Sequence, residues 1–207
     1  MSFYEQRILP HVINLAMRNR ELRPYRERVL EKVTGRVLEI GIGSGINLLH
    51  YPASAHEIVG LEPASRLIAM ARRIATRRSS AVEFIEGSAE AIPLDSGSID
   101  TVVTTWTLCS IPQVSVALGE MRRVLRPTGQ LLFVEHGLAP EQNVRKWQDR
   151  LTPVWKRIGG GCHLNRPIRQ LIEDAGFSIL NIETGYMKGP KPMTFMYEGR
   201  ARPESNH

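Results

Sequence analysis

From about residue 35 onward, short apolar runs alternate with stretches whose apolar residues recur every three to four positions. Residues 36–40, 56–62, 82–85, 99–105 and 130–135 read as five strands, the fourth preceded by the turn Asp95-Ser-Gly-Ser98. Between them, Leu67, Met70, Ala71 and Ile74 share one helix face. Val114, Leu118, Met121 and Leu125 share another, on a helix that stops before Pro127-Thr-Gly129. A glycine-rich turn follows the first strand, and what comes after it is helix-like. Strand and helix in regular alternation predict an α/β domain, a mostly parallel sheet with helices on both faces.

The two ends of the chain differ from this middle. Phe3, Tyr4, Ile8, Leu9, Val12, Ile13, Ala16 and Met17 are nearly helical in spacing, with Pro10 in the way, and a second helix is expected over residues 24–33. Toward the other end, Val144, Trp147, Leu151, Val154, Trp155 and Ile158 predict a helix kinked or interrupted at Pro153. Residues 159–161 form a flexible glycine break. Asn165 reads as the cap of a helix carrying Ile168, Leu171 and Ile172 and stopped by Gly176. Residues 178–183 and 193–198 are the last two strands, joined by a Gly/Pro/Lys-rich turn that fits an antiparallel edge. No repeat or linker interrupts the pattern, so residues 1–207 are expected to be one domain: a helical cap over 1–34, a cofactor-binding half over 35–136, and a substrate-side and C-terminal half over 137–207.

Composition narrows the class. A chain of 207 residues is long enough for one ordinary core. No apolar run approaches the ~18 residues of a membrane span. The N-terminus lacks the apolar stretch and cleavage site of a secretory signal. Two cysteines make neither a disulfide framework nor a metal cluster, so a reducing cytoplasm is the simplest location. The net charge of +6 and a pI near 9.7 raise the question of nucleic acid. Arg66, Arg72, Arg73, Arg77 and Arg78, however, lie beside the apolar face of one helix and read as its solvated side. No aromatic residues interleave with them as a single-strand binding surface requires.

The candidate chemistry centres on Gly35-Arg-Val-Leu-Glu-Ile-Gly-Ile-Gly-Ser-Gly-Ile-Asn47. Three alternating glycines after a strand let the backbone turn tightly against a ligand, because glycine tolerates positive φ and has no Cβ. A dinucleotide fingerprint places its third glycine three residues after the second. Here the interval is two, and Glu39 precedes the first glycine. A carboxylate is unfavourable beside phosphates and suits a ligand bearing an ammonium and a sulfonium. Seventeen residues beyond Gly45, Glu62 ends the second strand, where an acid accepts hydrogen bonds from both ribose hydroxyls. His136, at the end of the fifth strand, is the candidate general base. Cys162-His163 after three glycines reads as a mobile loop near the acceptor, since two potential ligands without partners do not make a metal site, and no metal is expected. Cys109 sits in an apolar run and reads as packed. Trp147 and Trp155 read as core residues, with a role roofing the acceptor pocket as the alternative.

Five ordered motifs resemble the class I S-adenosylmethionine-dependent methyltransferases: Glu39-Ile-Gly-Ile-Gly-Ser-Gly45, Gly60-Leu-Glu-Pro63, Gly87-Ser-Ala-Glu-Ala-Ile-Pro-Leu94, Ser98-Ile-Asp-Thr-Val-Val103 and Arg123-Val-Leu-Arg-Pro-Thr-Gly129. The resemblance covers about residues 30–200 and is to the type 11, quinone-biosynthesis-like branch. The runs Thr107-Leu-Cys-Ser-Ile111, Phe133-Val-Glu-His136 and Gly161-Cys-His-Leu-Asn-Arg166 resemble the methyltransferase-like family that includes membrane-associated alkyl thiol methyltransferases. The resemblance implies a Rossmann-like, seven-stranded sheet with an antiparallel last strand. It implies S-adenosyl-L-methionine as cofactor, leaving S-adenosyl-L-homocysteine as product.

By the same resemblance, Gly41, Gly43 and Gly45 line the methionine and ribose portions, and Glu39 helps hold the ammonium. Asn47 starts the following helix near the cofactor's carboxyl end. Glu62 binds the ribose diol, Pro63 shapes the adenine slot, and Thr105 lies beneath the sulfonium. The family's usual adenine-binding aspartate is Ser88 here, which leaves that contact to the backbone of Ala89 and to Glu90. The expected acceptor is a hydrophobic or thiol-bearing small molecule, with peripheral contact between the N-terminal segment and an anionic membrane. Two alternatives stand beside it. One is a nucleic-acid methyltransferase, which the stretch Thr105-Trp-Thr-Leu108 disfavours because it lacks an Asn/Asp-Pro-Pro-aromatic signature. The other is a non-catalytic cofactor-binding protein.

Overall fold

Successive residues of a strand face opposite sides of a sheet, and the hydrophobic core divides accordingly. The computed structural model describes residues 7–78 and 81–204. Leu38, Ile40, Val102, Leu131 and Phe133 pack on one face, while Val37, Val103, Leu132 and Val134 pack on the other. The strands are β1 (Gly35–Ile40), β2 (Ala55–Glu62), β3 (Ala81–Glu86), β4 (Ile99–Thr105), β5 (Leu125–His136), β6 (Phe177–Tyr186) and β7 (Phe195–Pro203). They form one seven-stranded sheet in the order β3-β2-β1-β4-β5-β7-β6. Pairs from β3 to β5 are parallel, and β7 runs antiparallel to both of its neighbours. The expected mixed sheet with an antiparallel final strand is the one observed.

Helices cover both faces. α4 (Val114–Val124) and α6 (Ile168–Asp174) contribute Leu118, Met121, Ile168 and Ile172 to the first layer. α2 (Arg23–Leu30) contributes Val29 and Leu30 to the second, and α3 (Ser65–Ala75) packs Ile74 and Ala75 against it. Arg66, Arg72, Arg73 and Arg77 are exposed, as the amphipathic pattern requires, whereas Arg78, past the helix end, is half-buried and donates to the Leu48 carbonyl. α1 (Leu9–Met17), α5 (Gln142–Ile158) and the short α7 (Lys191–Thr194) complete the set. Among the described residues no helix is long and apolar enough to cross a membrane. Phe3 and Tyr4 lie outside the described residues.

Four local expectations change. Pro10 does not obstruct α1 but opens it, at a position whose missing N–H is unneeded. After the glycine loop comes only a 3₁₀ turn, Ile46–Leu49. Pro52 follows closely and biases the residue before it away from the α region. α5 runs helical through Pro153. Asn165 does not cap α6: its Nδ2 donates to Asp149 Oδ1 at 2.8 Å, and Pro167 stands at the cap.

Candidate cofactor and active site

Strand order reverses between β1 and β4, which leaves a crevice at their carboxyl ends. A cavity of about 290 Å³ opens there. The glycine loop forms its floor. Gly41, Gly43 and Gly45 have φ of 65°, 57° and 81°. A Cβ at Gly43 would meet nothing closer than 3.8 Å, so the space above that residue is free for a ligand. At Gly45 a Cβ would come within 2.9 Å of the Ala71 Cα; this glycine lets the loop pack against α3.

Two buried carboxylates face this cavity. Glu39 accepts from Asn47 Nδ2 at 2.8 Å and from the Tyr51 hydroxyl at 2.9 Å. Burial pushes its carboxyl up to about 7, against the pull of Tyr51, Asn47 and Arg26. Glu62 accepts from the backbone N–H of Ala64 at 3.0 Å and of Gly43 at 3.1 Å, so its position is tied to the glycine loop. Burial raises its carboxyl too, and the two backbone donors lower it. Asn47 also donates to Thr105 Oγ1 at 3.0 Å, joining β1 and β4 across the switch point.

Several residues of the site were not visible in the sequence. Arg26, from α2, donates to Asn47 Oδ1 and stacks 4.7 Å from the Trp106 ring. Burial lowers its guanidinium to about 10 although Glu39 opposes this, so it stays charged at neutral pH. Trp106 has φ of 52°, the only positive value on a non-glycine residue among those described. Such strain gathers at functional sites. From α1, Asn14 accepts the Ser44 hydroxyl at 2.7 Å, and Ile13 and Met17 line the cavity. An N-terminal cap was legible in the sequence; which of its side chains turn inward was not.

The other expected residues divide. Pro63, Ser88, Ala89 and Thr105 line the cavity. Glu90 is turned away: its carboxylate accepts from Gln113 N at 2.7 Å and from the Ser88 hydroxyl at 2.8 Å. His136 is buried outside the cavity lining among the described residues, with Nε2 3.1 Å from Cys162 Sγ. Cys162 and Cys109 are both buried free thiols packed with Leu164 and Trp155. Hydrogen bonding from Cys162 depresses the Cys109 thiol, and the same contact with burial pushes Cys162 up. His163 turns instead to the Cys109 carbonyl, with Nδ1 at 3.1 Å. Trp147 is exposed.

With Glu39 ionised, two carboxylates against one guanidinium among the described lining residues give the crevice an excess of negative charge. That excess repels a pyrophosphate and attracts a cationic ligand. Fold and site together thus define a class: an open α/β protein whose cofactor is a positively charged nucleoside.

Known proteins sharpen this. A family model described as a methyltransferase domain matches residues 38–133. Thiol S-methyltransferase TMT1B of Homo sapiens is 35% identical over 176 residues, 82% of this chain and 70% of that protein. Demethylmenaquinone methyltransferase of Thermus thermophilus is 35% identical over 114 residues; the match spans 54% of this chain and about half, 52%, of that protein. Among solved structures, an S-adenosylmethionine-dependent methyltransferase of Methanosarcina mazei superposes with a TM-score of 0.68 at 20% identity, over 84% of this chain and 94% of that one. The chain belongs to the S-adenosylmethionine-dependent methyltransferases, and S-adenosylmethionine is its cofactor.

Proposed function

We propose that this enzyme methylates a small, hydrophobic, thiol-bearing acceptor. The observation carrying the acceptor class is the match, over most of the chain, to a relative named as a thiol S-methyltransferase. The chemistry is compatible with the cavity. The cofactor supplies an activated methyl group on a positively charged sulfur. The protein's task is to hold the acceptor in line and keep water away. A thiol, with a reference pKa near ~8.5, ionises with little help, so no side chain in the cavity has to act as a strong base.

Residue roles follow from the donor set. Glu62 would accept the ribose hydroxyls with the lone pairs left over from Gly43 and Ala64. Glu39, steadied by Asn47 and Tyr51, would balance the ammonium. Pro63, Ser88 and Ala89 would border the adenine, with Glu90 acting on that border by holding Ser88. The open side of Gly43 would admit the methionine portion, and Thr105, at the β4 end, would lie under the sulfonium. Ile13, Asn14 and Met17 of α1 would close over the acceptor. Residues 1–207 form one catalytic unit in this reading. Its place is the cytoplasm, at the surface of a membrane touched by exposed apolar residues of the N-terminal segment and anionic through its lipids.

A radiolabelled methyl-transfer screen over alkyl thiols, quinols, amines and lipids tests the acceptor. Turnover on thiols is expected. Turnover confined to quinols or amines would replace the acceptor class. Calorimetric cofactor binding without turnover on any acceptor would leave a cofactor sensor, and salt-sensitive RNA binding with RNA methylation would point to nucleic acid.

A further inference from the structure

Three side chains far apart in sequence converge at the carboxyl edge of the sheet. Cys109 comes from the loop after β4, His136 is the last residue of β5, and Cys162 follows the glycine segment after α5. One ligand atom from each lies within 4.8 Å of the others, and all three residues are buried. Nothing in the methyl-transfer chemistry requires them. Yet their loops are fixed with care. His163 N donates to the Cys109 carbonyl at 2.8 Å, and buried Arg166 donates to the carbonyls of Leu108 and of Ile111, the latter at 2.6 Å. The cluster also adjoins the cofactor cavity: Ser110, which lines that cavity, has its Oγ 3.5 Å from Cys109 Sγ.

We propose that Cys109 Sγ, Cys162 Sγ and His136 Nε2 bind a zinc ion. Two thiolates and an imidazole are the donor set that a borderline-soft divalent cation prefers over magnesium or calcium. In a zinc tetrahedron, sulfur and nitrogen donors at about 2.0–2.3 Å from the ion stand roughly 3.5–3.8 Å apart. Movements of no more than about 1 Å bring the cluster to this geometry: the 3.1 Å contact of His136 with Cys162 opens by a few tenths of an ångström, and any wider pair, at most 4.8 Å apart, closes. Two polar atoms beside the cluster are orphaned. Glu135 Oε2 and His136 Nδ1 are buried with no hydrogen-bond partner among the described residues. Ligation through Nε2 fixes the tautomer of His136, with the proton on Nδ1.

Three protein ligands leave one coordination position free, as in catalytic rather than structural zinc sites. Through Ser110 the cluster borders the methyl-donor cavity, and the free position would take the acceptor thiol, which would give its proton to water and bind as thiolate. Its sulfur would then take the methyl group while the bond from that carbon to the cofactor sulfur breaks. This last step rests on the thiol acceptor proposed above; the metal site does not.

The test uses the reduced, chelator-treated full chain titrated with Co²⁺ and Zn²⁺. One ion per chain is expected, with a thiolate-to-cobalt charge-transfer band and d–d bands of tetrahedral intensity. Cys162→Ser and His136→Ala should each weaken metal binding by more than the ~10–100-fold typical of outer-shell changes, while calorimetric cofactor affinity stays within about twofold, within ~0.4 kcal/mol, and shows that they fold. Absence of stoichiometric binding, equal binding by the variants, or a Cys109–Cys162 disulfide whose reduction restores no metal affinity would overturn the site. Adding an alkyl thiol should strengthen the charge-transfer band. An unchanged band with metal still bound one-to-one would remove the acceptor from the fourth position and leave the zinc site standing.

Discussion

In the proposed site Glu62 and Glu39 would hold the cofactor's two polar ends in different ways, and each makes a separate prediction. Glu62 is oriented by two backbone N–H groups before any ligand arrives, so its contact with a ribose diol needs no rearrangement. Glu62→Ala should raise the cofactor dissociation constant at least about tenfold, since a charged hydrogen bond in a buried site is worth roughly 1.5–3 kcal/mol. Calorimetry reads this directly, and an unchanged constant would mean the ribose lies elsewhere. Glu39 adds a pH dependence. With burial holding its carboxyl at about 7, the group is mostly protonated below that pH in the free enzyme. A cationic cofactor prefers the ionised form, so binding lowers the pKa and releases a proton. Affinity should therefore climb about tenfold from pH 5.5 to 7, and the climb should vanish in Glu39→Gln. Measuring binding heats in buffers of different ionisation enthalpy counts the proton. Uptake instead of release would reverse the assignment.

At the level of elements, the parts legible in the sequence were those specified by contiguous residues. Glu39, the glycine turn and Glu62 all lie along one strand–loop–strand unit, so spacing alone located them. Arg26 and Trp106 reach the same cavity, and Tyr51 reaches Glu39 behind it, from elements whose packing no local pattern announces. Cys109, His136 and Cys162 were individually visible, but their meeting depends on β4 and β5 lying side by side and on α5 returning its glycine end to them. That return depends on Gln148. Buried on α5, it accepts from Ala139 N at 3.0 Å and donates to the carbonyls of Gly137 and Leu164 at 2.9 and 2.8 Å. Gln148→Ala leaves several buried backbone groups without partners. It should cost about 2–4 kcal/mol, read as a lower urea midpoint with little change in slope. A loss below about 0.5 kcal/mol, the level of ordinary surface substitutions, would show that α5 is held by its apolar contacts alone.

Over the whole molecule, the net charge of +6 and the unburied apolar positions bear on the same question. Sequence spacing identified both N-terminal and α5 apolar stripes but not which residues the fold would leave uncovered. Val12 and Leu15 on α1 stay exposed, Leu15 at 75%. On α5, Trp147, Leu151, Val154 and Ile158 lie at one helical face and are exposed too, with Lys146, Arg150 and Arg157 exposed around them. A stripe of this kind flanked by basic residues suits the boundary between headgroups and acyl chains. Each basic residue near an anionic surface adds about 1 kcal/mol, screened within a Debye length of about 8–10 Å. The chain should therefore sediment several-fold more with phosphatidylglycerol-containing vesicles than with phosphatidylcholine alone, and the excess should fall as salt rises. Paired Leu15→Glu and Val154→Glu changes should abolish the excess without moving cofactor affinity, because neither side chain lines the cavity. Equal background recovery with both vesicle types would mean that these stripes meet something other than lipid. If the excess survives the two substitutions, charge alone brings the protein to the surface and the apolar face takes no part.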